Sequence, residues 1–169
     1  MSTTQNLSGK EAIQKLRSLT ESTSTCMFGS GLEVIPIHVC PMQVQQVDHQ
    51  GYLWFFSGAD SIHNRQIAAD SRVHLIFSNP SKIEYLTVFG EATISVNPAK
   101  AKELWSKFVE AWFPEGPEDP NLTLISVRPV MSHFWDTENG KLVTFAKILT
   151  AALTGSEADE GGVEGTLAV

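Results

Sequence analysis

The sequence predicts a mainly β fold with flanking helices, closed into a small barrel. Between about residues 26 and 95, short apolar segments alternate with turn residues in a meander, without a βαβ repeat. The clearest alternation lies in residues 85–96, where Leu86, Val88 and Gly90 share one face of a strand. Six or seven strands, one of them returning after a helix, fit a barrel more readily than an open sheet.

The first elements are a helix and a hairpin. Ser8 followed by Glu11 is a capping-box pattern that opens an amphipathic helix to about Leu19. After a Ser/Thr-rich link, residues 34–47 and 51–57 flank a His-Gln-Gly turn and predict a β-hairpin. The following strands are predicted over residues 72–78, 85–96, 122–128 and 130–135.

Two further helices are predicted between these strands. Asp60 or Ser61 caps a short helix to about Ala69, and Asn97 caps a longer one with Pro98 at its first position. The longer helix carries an apolar stripe that must be buried against something, and its aromatic end runs into a Pro/Gly loop suited to a partner chain or a ligand. The stripe consists of Ala101, Leu104, Trp105, Phe108, Val109 and Trp112.

The chain is the size of one domain with a C-terminal extension. An apolar segment over residues 142–153 predicts one more helix. Beyond Gly155 the composition turns to Gly, Glu, Asp and Ala. We therefore predict a domain over residues 1–155 and a flexible acidic tail over residues 156–169.

Composition bears on partners and compartment. A formal net charge of −7 and a pI of about 5.1 argue against nucleic acid or an anionic membrane as the main partner. No secretory signal pattern opens the chain and no apolar run approaches the length of a membrane span, so we expect a cytoplasmic protein. Cys26 and Cys40 form no CxxC motif, and the five histidines lack metal-ligand spacing. Reduced thiols and no metal site are therefore expected.

Residues 53–63 join an apolar strand to a polar helix start. The first N–H groups of a helix lack intrahelical acceptors and the macrodipole is positive there, so Ser57, Ser61 and the amides of Ile62 and His63 can share one anion. The aromatic residues just before them supply a flat apolar wall for a ring system. An ordinary strand, turn and capped helix is the alternative interpretation.

Several short segments, in order along the chain, carry a resemblance to a known family. They are Pro41-Met42, Leu-Trp-Phe-Phe-Ser at 53–57, Asp60-Ser61, Arg72-Val73, Gly-Glu-Ala at 90–92, Ala-Trp-Phe-Pro-Glu-Gly at 111–116 and Phe134-Trp135. Together they resemble the general stress protein branch of the pyridoxamine 5′-phosphate oxidase-like, FMN-binding split-barrel family, over roughly residues 8–153. The resemblance implies a six-stranded Greek-key split β-barrel, a homodimer, and flavin held in two grooves at the dimer interface.

The resemblance also implies a cofactor site. Phe56-Ser57 matches the family's aromatic and hydroxyl pair, and Ser61-Ile62-His63 matches its phosphate-binding turn. Trp135 matches a tryptophan that in the oxidases packs on flavin from the partner subunit. The implied ligand is FMN, with FAD as the alternative. The implied cofactor-binding residues are Cys40, Pro41, Met42, Phe56, Ser57, Ser61, Ile62, His63 and Trp135.

Two positions depart from the family pattern. The family commonly has Arg-Pro-Met, whose arginine clamps the phosphate, where this chain has Cys40-Pro41-Met42, and it usually has lysine where this chain has His63. Losing an arginine's bidentate contact costs roughly 2 kcal/mol of binding. Each site residue also has a simpler interpretation: Cys40 as a small buried residue, His63 as a solvated helix residue, and Trp135 as a residue that closes the barrel.

Three functions therefore stay open at the level of sequence. The first is a flavin-dependent oxidoreductase whose substrate no residue identifies. The second is a flavin-binding stress protein that acts as a reservoir or redox sensor without fast turnover. The third is a structural dimer that has lost its cofactor. A homodimer burying more than about 2,000 Å² is expected, because the chain carries more aromatic residues than one small barrel buries. These residues are Trp105, Phe108, Trp112 and Phe113.

Overall fold

The strands of the protein form one sheet. The computed structural model describes residues 3–137 and 162–169. The strands are β1 (Thr3–Thr4), β2 (Leu7–Ser8), β3 (Thr25–Ser30), β4 (His38–Val47), β5 (Leu53–Gly58), β6 (Arg72–Asn79), β7 (Glu84–Ser95), β8 (Leu122–Thr137) and β9 (Gly162–Ala168). The helices are α1 (Gly9–Ser22), α2 (Ile62–Ala69), α3 (Pro98–Leu104) and α4 (Lys107–Glu110), followed by a 3₁₀ turn at Gly116–Glu118.

Six strands close into an antiparallel barrel. Their order is β3, β4, β5, β8, β7 and β6, and β6 returns to β3. This confirms the predicted six-stranded split β-barrel. The alternation predicted for β7 is also present, since Leu86, Val88 and Ala92 are buried while Tyr85 and Glu91 are exposed. The largest side chains buried inside the barrel are Phe28, Phe55, Phe77 and Phe134.

The barrel is open between β4 and β5. Residues 44–47 of β4 pair with β5, whereas residues 38–43 pair with β3 alone among the described strands. Beyond Phe55, β5 continues along β8 to Gly58 with no partner on its other side among the described strands, and α2 follows it after a short turn. The first turn of α2 therefore lies beside this opening.

The helices differ from the prediction in two details. Ser8 precedes α1, but its side chain makes no capping hydrogen bond, so the predicted capping box does not form. The predicted long helix after Asn97 is two helices, α3 and α4, separated at Trp105, whose backbone is extended. The Trp105 ring packs edge-on against Phe56 with the ring centroids 5.8 Å apart. This packing stabilises the position of Trp105 between the two helices.

The two strands predicted over residues 122–128 and 130–135 form a single strand, β8. Pro129 lacks an N–H group and is normally excluded from the middle of a sheet. Here the pairing with β7 shifts register, because Gly90 lies opposite Pro129 while Phe89 lies opposite Met131. Val130 is thus left as a bulge, and the strand continues past the proline.

The segment for which we predicted a flexible acidic tail ends in a strand. β9 pairs antiparallel with β8 and parallel with both β1 and β2. Val163 and Leu167 point into the core and are 8% and 3% exposed. The acidic composition concealed their two-residue alternation. The helix predicted over residues 142–153, and residues 156–161 of the predicted tail, lie outside the described residues.

Gly90 provides a test of this packing. A Cβ atom at this position would lie 2.6 Å from the Arg128 carbonyl oxygen and 2.8 Å from Val127 Cγ1. We expect Gly90→Ala to lower the free energy of unfolding by about 1–3 kcal/mol, measured by urea denaturation. Thr93→Ala, at an exposed site on the same strand, is the control and should cost less than about 1 kcal/mol. Equal losses for the two variants would contradict the close approach at Gly90.

Candidate functional site

A pocket of about 430 Å³ lies at the opening between β4 and β5. Its volume is within the range of about 300–1,000 Å³ usual for small-molecule sites. One wall comes from the facing edges of the two strands, a second from the start of α2, and a third from the aromatic segment around α4. The residues that line it include Cys40, Met42, Phe56, Ser57, His63, Phe108, Trp112 and Phe113.

The strand edges give the pocket both its apolar surface and free backbone groups. His38, Cys40 and Met42 alternate along the inner face of β4. Beyond Phe55, the side of β5 that faces β4 has no strand partner among the described residues. N–H and C=O groups on an unpaired edge need acceptors and donors from elsewhere. A ligand between the two edges can therefore bind the backbone as well as the side chains.

A hydrogen-bond network joins the end of β5 to α2 and β8. Asn64 Nδ2 donates to Thr123 Oγ1 at 2.9 Å, and Thr123 Oγ1 donates to the Ser57 carbonyl at 3.0 Å. The side-chain oxygen Oδ1 of Asn64 consequently faces Ser57 Oγ, which donates to it at 2.8 Å. Because a hydroxyl has one hydrogen, Ser57 Oγ acts as an acceptor toward His63 Nε2.

The network fixes the tautomer of His63. Its Nε2 lies 2.7 Å from Ser57 Oγ and donates to it. In the neutral ring Nδ1 then carries the lone pair, and it lies 3.8 Å from Cys40 Sγ. Cys40 is thus the donor of this contact. The order of donation runs from the Cys40 thiol through His63 and Ser57 to Asn64.

Burial keeps the pair at the centre of the pocket uncharged. Desolvation raises the pKa of the Cys40 thiol above its usual range. Desolvation, and then the nearby His38 ring, lower the pKa of His63. Behind them, burial and then the neighbouring Cys40 raise the pKa of Cys26 to about 12. Proton transfer between Cys40 and His63 would place two charges in a partly dry site, so both stay neutral at pH 7.

Ser61 sits where a helix begins. Its Oγ accepts from Asn64 N at 3.2 Å and caps α2, and it lies 3.3 Å from Ser57 Oγ. The N–H groups of Ile62 and His63 occupy the first two helical positions, which have no intrahelical acceptor. Donors for one anionic group thus stand at the α2 end of the pocket.

The structure gathers most of the candidate cofactor residues and separates one of them. Six line the pocket: Cys40, Pro41, Met42, Phe56, Ser57 and His63. Ser61 and Ile62 adjoin it through α2. Trp135 lies near the far end of β8, pairs with Tyr85, and its ring centroid is 4.5 Å from that of His133. It does not line the pocket of its own chain.

Other site residues were not singled out by sequence reasoning. His38 is stacked on His63 with ring centroids 6.4 Å apart, and its Nδ1 is buried without a hydrogen-bond partner among the described residues. Its position two residues before Cys40 in a strand could have revealed it. Asn64 and Thr123 gave no such signal, because their pairing depends on how β8 lies against β5.

A second pocket, of about 640 Å³, lies among α1, β4 and α3. Arg17, Asp48, Lys100 and Glu103, four of its five Asp, Glu, Lys and Arg side chains, already have partners within the chain. Arg17 donates to the carbonyls of Val47 and Asp48, and Lys100 binds Gln46 and Glu103. Most of its lining residues are polar, Val44 and Val47 being the aliphatic ones, and it lacks the aromatic wall of the first pocket. We therefore place the functional site at the first pocket.

Neither a metal cluster nor a membrane-spanning helix occurs among the described residues. They contain no group of three or more His, Cys, Asp or Glu side chains able to hold a metal ion. None of the helices described is long and apolar enough to cross a membrane.

A six-stranded barrel, opened along two strand edges beside a helix start, defines a split-barrel protein. The sequence model of the family described as "Pyridoxamine 5′-phosphate oxidase like" matches residues 11–159, and the chain belongs to that family. A general stress protein 26 from Jannaschia sp. CCS1 has a similar structure, with a TM-score of 0.76 at 24% identity, covering 94% of this chain and 96% of that one.

Two further relatives are similar to this chain. A general stress FMN/FAD binding protein from Xanthomonas citri matches with a TM-score of 0.66 and 28% identity, covering 78% of this chain and 92% of that one. Protein bli-3 of Neurospora crassa is 23% identical over 114 residues, which are 63% of this chain. The match covers 54% of bli-3, so the chain spans about half the length of that relative.

Proposed function

We propose that the chain is an FMN-binding general stress protein and a flavin-dependent oxidoreductase. The observation that carries this proposal is the pocket itself, where an apolar aromatic wall meets a helix start at the opening of the barrel. Membership of the pyridoxamine 5′-phosphate oxidase-like family supports it. So does the similarity to the Xanthomonas citri protein, which is described as binding FMN or FAD.

The residues present fit a flavin. Met42, Phe56 and Phe113 offer apolar surface to the ring system, and the exposed Trp112 stands at the lip of the pocket. At the other end, Ser61 Oγ and the first N–H groups of α2 would hold the phosphate. When bound, the flavin supplies one- or two-electron transfer. The chain would orient the ring and exclude water from one face. Before flavin binds, burial favours the neutral forms of Cys40 and His63.

We propose FMN because the donors at the α2 end of the pocket are enough for one phosphate group. The donors at the start of α2 lie within one turn, which suits one phosphate group. FAD is the alternative, and the mass of the released ligand distinguishes the two.

One observation favours a second candidate function. The titratable side chains among the described lining residues are Cys40 and His63, and both are held neutral by burial. A site with no ionised acid or base is suited to binding flavin without fast turnover. The second candidate is therefore a flavin reservoir or redox sensor. The third hypothesis, a dimer without cofactor, predicts a colourless protein with no flavin affinity.

We also propose that the protein is a homodimer. The outer barrel face carries exposed apolar side chains on adjacent strands, with Met27 of β3 paired to Ile76 of β6. Val39, Met131 and Trp135 continue this face on β4 and β8. A patch of this kind on a barrel wall is typical of a protein interface. Trp135 would there lie against the flavin of the other subunit, as the family resemblance implies.

The visible spectrum of the purified protein tests the proposed function. We expect a yellow protein whose spectrum shows bound flavin, and mass spectrometry of the denatured supernatant should identify FMN. Bleaching by NADH or NADPH under anaerobic conditions would support the oxidoreductase, and a yellow protein that neither reduces would favour the reservoir or sensor. A colourless protein that binds no added FMN would exclude both.

Ser61 tests where the phosphate binds. Ser61→Ala removes a hydroxyl from the start of α2, and we expect the Kd for FMN to rise by about two- to thirtyfold, the equivalent of about 0.5–2 kcal/mol. Asn97→Ala is the matched control, because Asn97 caps α3 with a 3.0 Å hydrogen bond from Lys100 N. Fluorescence titration should show an unchanged Kd for the control. An unchanged Kd in Ser61→Ala would remove this residue from the site.

Ile76 tests the dimer. Ile76→Asp places a charge in the proposed interface, and an unpaired buried charge costs about 3 kcal/mol or more. Light scattering at micromolar concentration should find wild type at twice the 18.5 kDa chain mass and the variant at the chain mass. Val96→Asp is the control, since Val96 is equally apolar, 77% exposed and outside this face. A monomeric wild-type protein would contradict the proposal.

A further inference from the structure

His63 is the one side chain, among the described residues lining the pocket, that can become a cation. The neighbouring cations point elsewhere. Arg65 donates Nη1 to the Asp60 carbonyl at 2.6 Å on the exposed side of α2. Arg72 is held by the carboxylates of Asp70 and Glu33. Among the described lining residues, a positive side-chain charge facing a ligand in the pocket can therefore come only from His63.

The neutral His63 ring has no hydrogen to spare for a ligand. Its Nε2–H is used by Ser57, and its Nδ1 is an acceptor beside the Cys40 thiol. Protonation adds a hydrogen at Nδ1, on the side where Cys40 lines the pocket. The same proton supplies a positive charge and a charge-assisted donor. One protonation thus changes what the pocket can bind.

The surroundings of His63 decide when that protonation occurs. β4 presents His38 and Cys40, β3 presents Phe28 with Cys26 behind it, and β5 presents Ser57. On its own helix, Arg65 lies on the exposed side and is bound to the carbonyl of Asp60. None of these contacts is a carboxylate side chain that would favour the imidazolium. Burial and the stacked His38 ring therefore lower the pKa of His63, and the ring is neutral above pH 7 until an anion binds.

We propose that His63 is a proton-dependent phosphate contact, which makes the pocket select phosphorylated over unphosphorylated flavin more strongly as the pH falls. This inference rests on the proposed flavin site. It adds that the pocket distinguishes flavins by the charge of their phosphate group. A bound phosphate dianion stabilises protonated His63, so phosphate binding takes up a proton. FMN affinity then rises as the pH falls from 8.5 to 6.5. Riboflavin has no phosphate, and its affinity stays unchanged.

The direction of the effect separates His63 from the ligand's own titration. A phosphate monoester takes up its second proton with a pKa of about 6. If the helix start alone held the phosphate, acid would convert the dianion to the monoanion and weaken FMN binding. A His63 contact gives the opposite sign.

The experiment measures Kd for FMN and riboflavin at pH 6.5 and 8.5 by quenching of flavin fluorescence, on protein stripped of ligand and checked for an unchanged Tm. In wild type, the ratio of the riboflavin Kd to the FMN Kd should be at least about fivefold larger at pH 6.5; one proton taken up across two pH units sets a ceiling of about a hundredfold. In His63→Gln, whose amide can still donate to Ser57, the ratio should change by less than about twofold.

Two further variants complete the test. His63→Lys carries a fixed positive charge and should prefer FMN over riboflavin equally at both pH values. This variant tests the inference independently if His63→Gln has a lowered Tm. His49→Gln changes an exposed histidine of the β4–β5 turn and should keep the wild-type pH dependence. A flat ratio in wild type, or a pH dependence that persists in His63→Gln, would overturn this inference while leaving flavin binding intact. Failure of both flavins to bind would overturn the proposed function with it.

Discussion

The organisation of the protein depends on the short pairing between β4 and β5. Residues 44–47 of β4 pair with β5, and the two strands then separate. In the part of the chain that the structure describes, each then has an unpaired backbone edge that faces the same space. Backbone N–H and C=O groups are costly to leave without partners, and a sheet normally continues until they are satisfied. Here the first turn of α2 and the pocket lie between the separated edges of β4 and β5. The opening of the barrel is therefore also what makes it a binding site.

The polar groups beside this opening are arranged to avoid charge. Ser57 is 4% exposed, yet its hydroxyl is engaged by both Asn64 and His63. A buried polar network is stabilising when every member has a partner, and this one ties β5, α2 and β8 together. The same engagement limits Ser57 as a ligand group, because its only hydrogen is already donated. Ser57 thus positions His63, and the free donors lie one turn away at the start of α2.

Sequence reasoning worked where the signal was local. The two-residue alternation in β7 gave its buried face, and the hydroxyl and glycine residues after Phe56 located the strand end and the helix start. It was less successful where distant segments meet. The sequence around Trp105 does not indicate that its ring packs on Phe56 where the helix is interrupted. The sequence around Val163 does not indicate that this segment pairs with β8. Likewise, the contact of Asn64 with Thr123 follows from strand order, which one sequence does not determine.

The strand near the C-terminus has a consequence for the behaviour of the protein at high concentration. β5 borders β8 only as far as Val127, so the end of β8 would otherwise be an open edge next to exposed apolar side chains. β9 covers residues 132–137 of that edge, and the short strands β1 and β2 cover β9 in turn. An uncovered edge is a template on which further chains can add as strands, the first step toward fibrous aggregates. β1, β2 and β9 thus protect the end of β8 from strand addition by other chains.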